Sequence, residues 1–528
     1  MSEAFDIVVA GAGHNSLIAA AYLARAGLSC LVLEANERIG GDTASDELTL
    51  PGFWHDSCST AHNLIQSSPI LREDELGLRE HGLEYIAPDP VVHLPFPDGE
   101  SLTMWRDEER TWAEFARFSR ADAEAYRRMM ADYGRIAPDV GRARYTPVGS
   151  GESTGQALAR QPDGGRWLRR NAMSAWEVIA SEFGEPHVRA FMLWMSFMTM
   201  QPPERPGTGL LAYSLAYGRQ RHSWTLPRGG SGALPAALAR VIEAHGGVIV
   251  TGAKVTGLVI EGGRCTGVET AGGDRFAARR AVLSTIHIKH LVEMAPAEAW
   301  GEDFRYGVAT WQPGISMFVT HYATTQPPRY RGPDGDVVSV ASGTPHSAGR
   351  MLRLATDFRA GAIALDDPVL LILCPTVADP SRAPEGRHTL KVVGFQPYEL
   401  ADGGPERWDG VKEQVSAANL EQLRRHAPNV TDEVILASAI KSPLDLERMN
   451  AHNWHGSCHG GDAGPAQSGE LRPVPGWASH RMPVPGLYQT GATTYPGGSV
   501  SGAPGRNAAA VLLADLGMSI GQAVRANG

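Results

Sequence analysis

Residues 6–34 hold the pattern that most narrows what this chain can fold into. Asp6 to Ala10 is a short apolar run of strand character, and Gly11-Ala12-Gly13-His14-Asn15-Ser16 is a glycine-punctuated turn. Leu17 to Ala26 reads as an alanine-rich helix closed by Gly27, and Cys30 to Leu33 as a second strand ending at Glu34. Each piece has a physical task. Gly11 permits the tight turn, Gly13 lets backbone approach a pyrophosphate, and the helix N-terminus directs partial positive charge at that group. Ala12, Asn15 and Ser16 belong to the same phosphate-binding turn, with Ser16 standing where a third glycine is usual. Glu34 is placed to accept hydrogen bonds from an adenosine ribose, and its charge disfavours a 2′-phosphate and hence NADP.

A second glycine turn follows at once, Ala35-Asn36-Glu37-Arg38-Ile39-Gly40-Gly41-Asp42-Thr43. Its paired glycines let backbone pass close to another part of a long cofactor, which a simple NAD site does not need. Near the other end, Gly486 to Gly491 reads as a short strand. It leads through Tyr495-Pro496-Gly497-Gly498-Ser499-Val500-Ser501-Gly502-Ala503-Pro504-Gly505-Arg506-Asn507 into a helix over Ala508 to Leu516. A glycine-rich approach to a helix N-terminus suits developing negative charge. Gly491, Val500, Ser501 and Gly502 are therefore the candidates for facing the N1/O2 edge of a flavin ring, where charge collects on reduction. The cofactor expected is FAD.

With these motifs the chain resembles the phytoene-desaturase-like branch of FAD-dependent oxidoreductases, which includes carotenoid desaturases and isomerases and the pyridine nucleotide-disulphide oxidoreductase domain-containing proteins. The matching segments are Gly11 to Asn15, Leu226-Pro227-Arg228-Gly229-Gly230-Ser231-Gly232-Ala233-Leu234, Leu471 to Gly476, Pro496 to Gly498 and Gly505 to Asn507. Glu34 followed by Gly40-Gly41 is similar to the signature of glutathione-reductase-like FAD proteins. The resemblance implies an α/β fold: a Rossmann-like FAD-binding domain of glutathione-reductase type, with an inserted α+β substrate domain. It assigns 1–63, 224–285 and 464–528 to the FAD domain, and 64–223 and 286–463 to the substrate domain. It also implies that Ala35, Arg38, Gly40, Gly41, Asp42 and Thr43 surround the pyrophosphate and ribitol, and that Val255 gives a backbone contact to adenine. Ala492 departs from the acidic residue that relatives often carry after the Thr-Gly pair.

The implied activity is hydride transfer between flavin and a largely apolar organic substrate, by desaturation, saturation or isomerisation of a carbon–carbon bond. An amine-oxidase-like reaction is the enzymatic alternative, and a prenyl-binding chaperone on the same fold the non-enzymatic one. Gly229 to Gly232 follows Trp224 to Arg228 rather than a buried strand, so no second dinucleotide unit is expected. Oxygen or a quinone is then the expected electron acceptor.

Fifty-eight acidic against 48 basic side chains give a net charge of −10, which excludes general attraction to nucleic acid. The five cysteines are scattered singly with no Cys-x-x-Cys, against a disulfide framework, a zinc ribbon or dithiol chemistry. A cytoplasmic location is expected, with no signal peptide and no apolar run near the ~20 residues of a spanning helix. Peripheral membrane contact and homodimer formation stay open. His55 and His62, shortly after the paired glycines, and His455 and His459, in the polar run His452 to His459, are the candidates for proton transfer. The spacing of that run matches no zinc pattern, so no metal is expected. Phe191, Trp194, Met195 and Met198 recur at helical spacing, as a core stripe or a pocket wall.

Overall fold

The computed structural model describes residues 4–198 and 200–525. At its centre, β1 (Phe5–Ala10) pairs in parallel with β2 (Cys30–Leu33) on one side and with the later part of strand Arg275–Ser284 on the other. Val248–Val250 continues beyond β2, and Leu487–Gln489 pairs in parallel with Arg275–Ser284. Three strands far apart in sequence are thus brought beside the first two. Ile7, Val8, Val9 and Ala10 are fully buried because both faces of the layer are covered, which is why β1 is continuously apolar rather than alternating.

One face carries α1 (His14–Arg25) and the helices Ala233–Ala244 and Ala503–Asp515, packed through Leu17, Ala20, Leu238 and Leu512. The other packs Val8, Ala10 and Leu33 against Ile288, Leu291 and Phe304. Ala503–Asp515 begins five residues before the Ala508 start expected from sequence. Gly502 is left-handed at φ 73° and Pro504 occupies the first turn, where a missing N–H costs nothing. Leu226–Pro227 pairs antiparallel with Tyr85–Ile86 and stays outside the parallel layer.

A second sheet of seven strands runs in the order Ile435–Lys441, Met317–Thr324, His388–Phe395, Leu371–Leu373, Ala341–Gly343, Val92–Pro95 and Ser101–Met104. Helices Arg120–Arg144, Pro186–Phe197 and Gly209–His222 share a core with it through Tyr126, Phe191, Trp194, Val319 and Val393. Phe191, Trp194 and Met195 of the expected stripe are core residues, while Met198, just past the helix end, reaches a cavity. Among the described residues, no helix is long and apolar enough to cross a membrane.

Candidate functional site

The first glycine turn is held from both sides by the strands that flank it. Gly11 N–H donates to Leu33 O at 2.7 Å, and Gly40 N–H donates to Ala12 O at 2.8 Å, so the two glycine turns are bonded to one another. Gly11 has φ 96°, and a Cβ there would lie 2.5 Å from Thr285 Cγ2, so only glycine fits. Gly13 is different in kind: a Cβ on it would meet no atom within 4 Å, because it faces open space in front of the α1 N-terminus. Glu34 is buried, with Oε2 accepting from Ala12 N–H at 2.8 Å and Oε1 from Asn36 N–H at 2.9 Å. Thr43 Oγ1 donates to Gly40 O at 2.7 Å and pins the second turn.

That open space belongs to a cavity of about 860 Å³ running from the ends of β1 and β2 to the second sheet. Along one stretch its walls are the first turn, residues 34–36 and 40–43, residues 254–256, Thr285, and the C-terminal Gly491-Ala492 and Ser499-Val500. At the other end they are Met198, Met200, Leu215, Trp224, Met317, Leu371, Leu373, Val393 and Phe395, a surface of aliphatic, thioether and aromatic atoms. A neighbouring cavity of about 700 Å³ shares Leu64, Leu215, His459 and Ser499 with it.

Of the residues expected from sequence, Gly11, Ala12, Gly13, Asn15, Glu34, Ala35, Gly40, Gly41, Asp42, Thr43, Val255, Gly491 and Val500 all border the main cavity. Ser501 borders the neighbouring one. Three do not reach either cavity. Ser16 is fully buried and turns its hydroxyl back onto Gly11 O at 2.7 Å and Gly13 O at 2.9 Å. Arg38 points outward into an ion pair with Asp46. Gly502 faces Ile18, Ile65 and Ile70, where a Cβ would crowd the core.

The four histidine candidates separate in the same way. His459 borders both cavities, with its backbone packed against Gly498. His55 is buried elsewhere, hydrogen-bonded with Thr49 Oγ1 at 2.8 Å and beside the His321 ring. His62 has both ring nitrogens engaged, with Tyr85 Oη at 3.1 Å and Ser231 Oγ at 2.7 Å. His455 stacks on Tyr398 at 4.6 Å between ring centroids, away from either cavity.

Several cavity residues carry chemistry that sequence reading passed over. His14 and His452 both border it, and burial lowers each to about 4, so both are neutral imidazoles at neutral pH. Lys391 Nζ bonds Cys58 O, and burial lowers its proton affinity. Asp42 Oδ1 accepts from Asn450 Nδ2 at 2.9 Å and Asn453 Nδ2 at 3.0 Å, while burial raises its carboxyl. The Cys58 thiol is pushed well up by its hydrogen bond with Cys458 and by burial. The one sequence signal for Lys391 is a lone charge inside the otherwise apolar strand His388–Phe395.

A phosphate-sized opening at Gly13, a buried acid at the end of β2, and a chamber continuing from there to an apolar terminus fit a long dinucleotide better than a mononucleotide. Fold and site together define a flavin-dependent oxidoreductase of Rossmann-like α/β architecture, and its cofactor is FAD. The chain belongs to the flavin containing amine oxidoreductase family, whose model matches residues 17–513.

Similarity to curated proteins extends over almost the whole length. The chain is 28% identical to pyridine nucleotide-disulfide oxidoreductase domain-containing protein 2 of Rattus norvegicus, covering 97% of this chain and 94% of that one. It is 26% identical to a limonene dehydrogenase polypeptide of Castellaniella defragrans, covering 98% and 95%. With phytoene desaturase (lycopene-forming) of a Paracoccus species it shares 25% identity over 96% and 97%. Among solved structures, an oxidoreductase from Methanosarcina mazei superposes with a TM-score of 0.63 at 17% identity, covering 97% and 99%, a likeness of fold.

Proposed function

We propose that this enzyme exchanges a hydride with a largely apolar organic substrate and thereby introduces, removes or shifts a carbon–carbon double bond. The observation that carries the reading is the composition of the cavity's far end: Met198, Met200, Leu215, Trp224, Met317, Leu371, Leu373, Val393 and Phe395. Such a surface gains from covering hydrocarbon and offers a polar group little. Two relatives, named for limonene dehydrogenation and phytoene desaturation, support the same class. An amine substrate is disfavoured by charge, since the cations on that part of the wall, Arg219 and Lys391, would repel an ammonium group.

FAD, when bound, supplies the two-electron centre that accepts or returns the hydride. The chain's residues do the rest. In this reading, backbone at Gly11 to Gly13 and the α1 N-terminus cradle the pyrophosphate. Glu34 takes the adenosine ribose, and Val255 backbone the adenine. Gly40 to Thr43 and Gly491 follow the ribityl chain, and Val500 stands near the redox ring. Segments 1–63, 224–285 and 464–528 make up the FAD-binding part, and 64–223 with 286–463 the substrate part.

Proton movement accompanies the hydride in such a reaction. Asp42 and Lys391 line the cavity, and burial draws both toward their neutral forms, the condition under which either group exchanges a proton near neutral pH. His459 is a further proton carrier on the same wall. Electrons then leave to oxygen or a quinone. Incubation with isoprenoid and cyclic hydrocarbons and with amines, under an added quinone, tests the reading by product mass. A hydrocarbon product two hydrogens lighter supports it, and conversion of amines alone to carbonyl compounds overturns it.

A further inference from the structure

Arg219 stands in the last turn of helix Gly209–His222, on the apolar part of the cavity wall. It is 7% exposed, and its guanidinium carbon lies 3.7 Å from the centroid of the Trp224 ring. Stacking on an aromatic face fixes the plane of the group and leaves its charge intact. Nε and Nη1 are buried without a hydrogen-bond partner, and no carboxylate among the described residues pairs with this guanidinium. Burial alone acts on it, lowering its proton affinity to about 9, so it is a cation at neutral pH.

The other deeply buried arginines are compensated. Arg382 pairs with Asp56 at 2.8 Å and Arg506 with Glu75 at 2.7 Å. Arg472 donates to the backbone oxygens of Asp462 at 2.8 Å, Gln467 at 3.0 Å and Ala492. A buried cation with no acceptor is costly, and a chain that compensates three such groups and leaves a fourth bare at a ligand chamber has left room for an acceptor brought from outside. The FAD phosphates do not meet that need, because their cradle is the glycine turn, while Arg219 shares its core with Leu215, Met200, Met317 and Phe395.

We propose that Arg219 is the substrate's anchor, and that the substrate is an apolar molecule bearing a carboxylate. The inference rests on the apolar-substrate reading and narrows it: the carboxylate meets the guanidinium beside Trp224, and the hydrocarbon lies along the methionine and aliphatic wall. An ion pair formed inside the chamber is little screened by solvent and selects strongly between head groups.

Three probes with one tail and different heads, decanoate, decanol and decylamine, test this by calorimetric titration of the flavin-loaded protein at neutral pH. Decanoate is expected to bind about tenfold or more tighter than decanol. In Arg219→Met that advantage is lost, while decanol affinity and flavin content are unchanged; Arg219→Lys keeps part of it. Equal affinity for decanoate and decanol overturns the anchor and leaves the apolar reading standing. A decanoate preference that persists in Arg219→Met overturns it too, as does loss of flavin from that variant. Tightest binding of decylamine, or no binding by any probe, overturns both the anchor and the reading beneath it.

Discussion

The carboxylate of Glu34 accepts the backbone N–H of Ala12 at 2.8 Å, so the last residue of one strand fixes the conformation of the glycine turn that leaves its neighbour. The same carboxylate has its other oxygen on Asn36 N–H. An acid tied on both oxygens is oriented before any ligand arrives, and its remaining lone pairs are free for a ribose. Glu34→Gln keeps an acceptor and loses the charge, and flavin affinity should fall about tenfold. Glu34→Leu removes both acceptors and should cost about a hundredfold. Fluorescence titration of apoprotein with FAD measures both, and equal affinity in the three proteins contradicts the role.

Gly13 and Gly505 make opposite predictions. A side chain at Gly13 extends into empty cavity, so Gly13→Trp should leave a folded, soluble protein that purifies without flavin. At Gly505 a Cβ would overlap the Asn15 carbonyl where helix Ala503–Asp515 crosses α1. Gly505→Ala should therefore destabilise the fold by about 2 kcal/mol or more. Thermal unfolding and flavin content of each variant read these outcomes separately.

Buried histidines set the acid limit of stability. Burial holds His14, His55, His93, His452 and His480 down to about 4, and His62 to about 3, against an ordinary 6.5. Below pH 6.5 the unfolded chain takes protons that the folded chain refuses, so stability is flat above that value and falls as pH drops toward 4. Each histidine contributes on the order of 1 kcal/mol per pH unit once it is fully in that window. Tm should drop by roughly 10 °C or more between about pH 7.5 and about pH 5.5. A constant Tm across that interval contradicts the buried, neutral assignment.

Lys391 offers a test confined to turnover. Methionine matches its length, and replacing a buried ammonium by an apolar group is tolerated or mildly stabilising. Lys391→Met should keep its flavin and its Tm, yet lose about tenfold or more in kcat, with the pH profile shifted. Unchanged kcat and profile would remove Lys391 from proton transfer.

The part of the site made by local sequence was legible beforehand. Strand, turn, helix and acid are contiguous over residues 6–34, and each has a residue-level signature in Gly11, Gly13 and Glu34. The apolar end was not legible. Its walls come from Met198, Leu215, Trp224, Met317, Leu371, Val393 and Phe395, on separate segments, and strands buried on both faces have no alternation to tell which side chains face a chamber. Chain proximity misled at His55. Strand His55–Asp56 pairs with Ser45–Asp46 and carries the imidazole to Thr49 and His321, away from the cavity that the preceding glycines line. Arg219 reads in sequence as an ordinary basic residue at a helix end, and only the missing counter-charge marks it.

Hydride exchange between the flavin and carbon–carbon bonds is best probed by anaerobic mixing of the flavin-loaded enzyme with matched hydrocarbons and amines, followed at the visible band of oxidised flavin. Isoprenoid or cyclic hydrocarbon substrates should bleach the band, or their unsaturated forms should restore it from the reduced enzyme, while amines leave it unchanged. Rapid bleaching by amines, with no response to any hydrocarbon in either direction, would refute hydride exchange at carbon–carbon bonds.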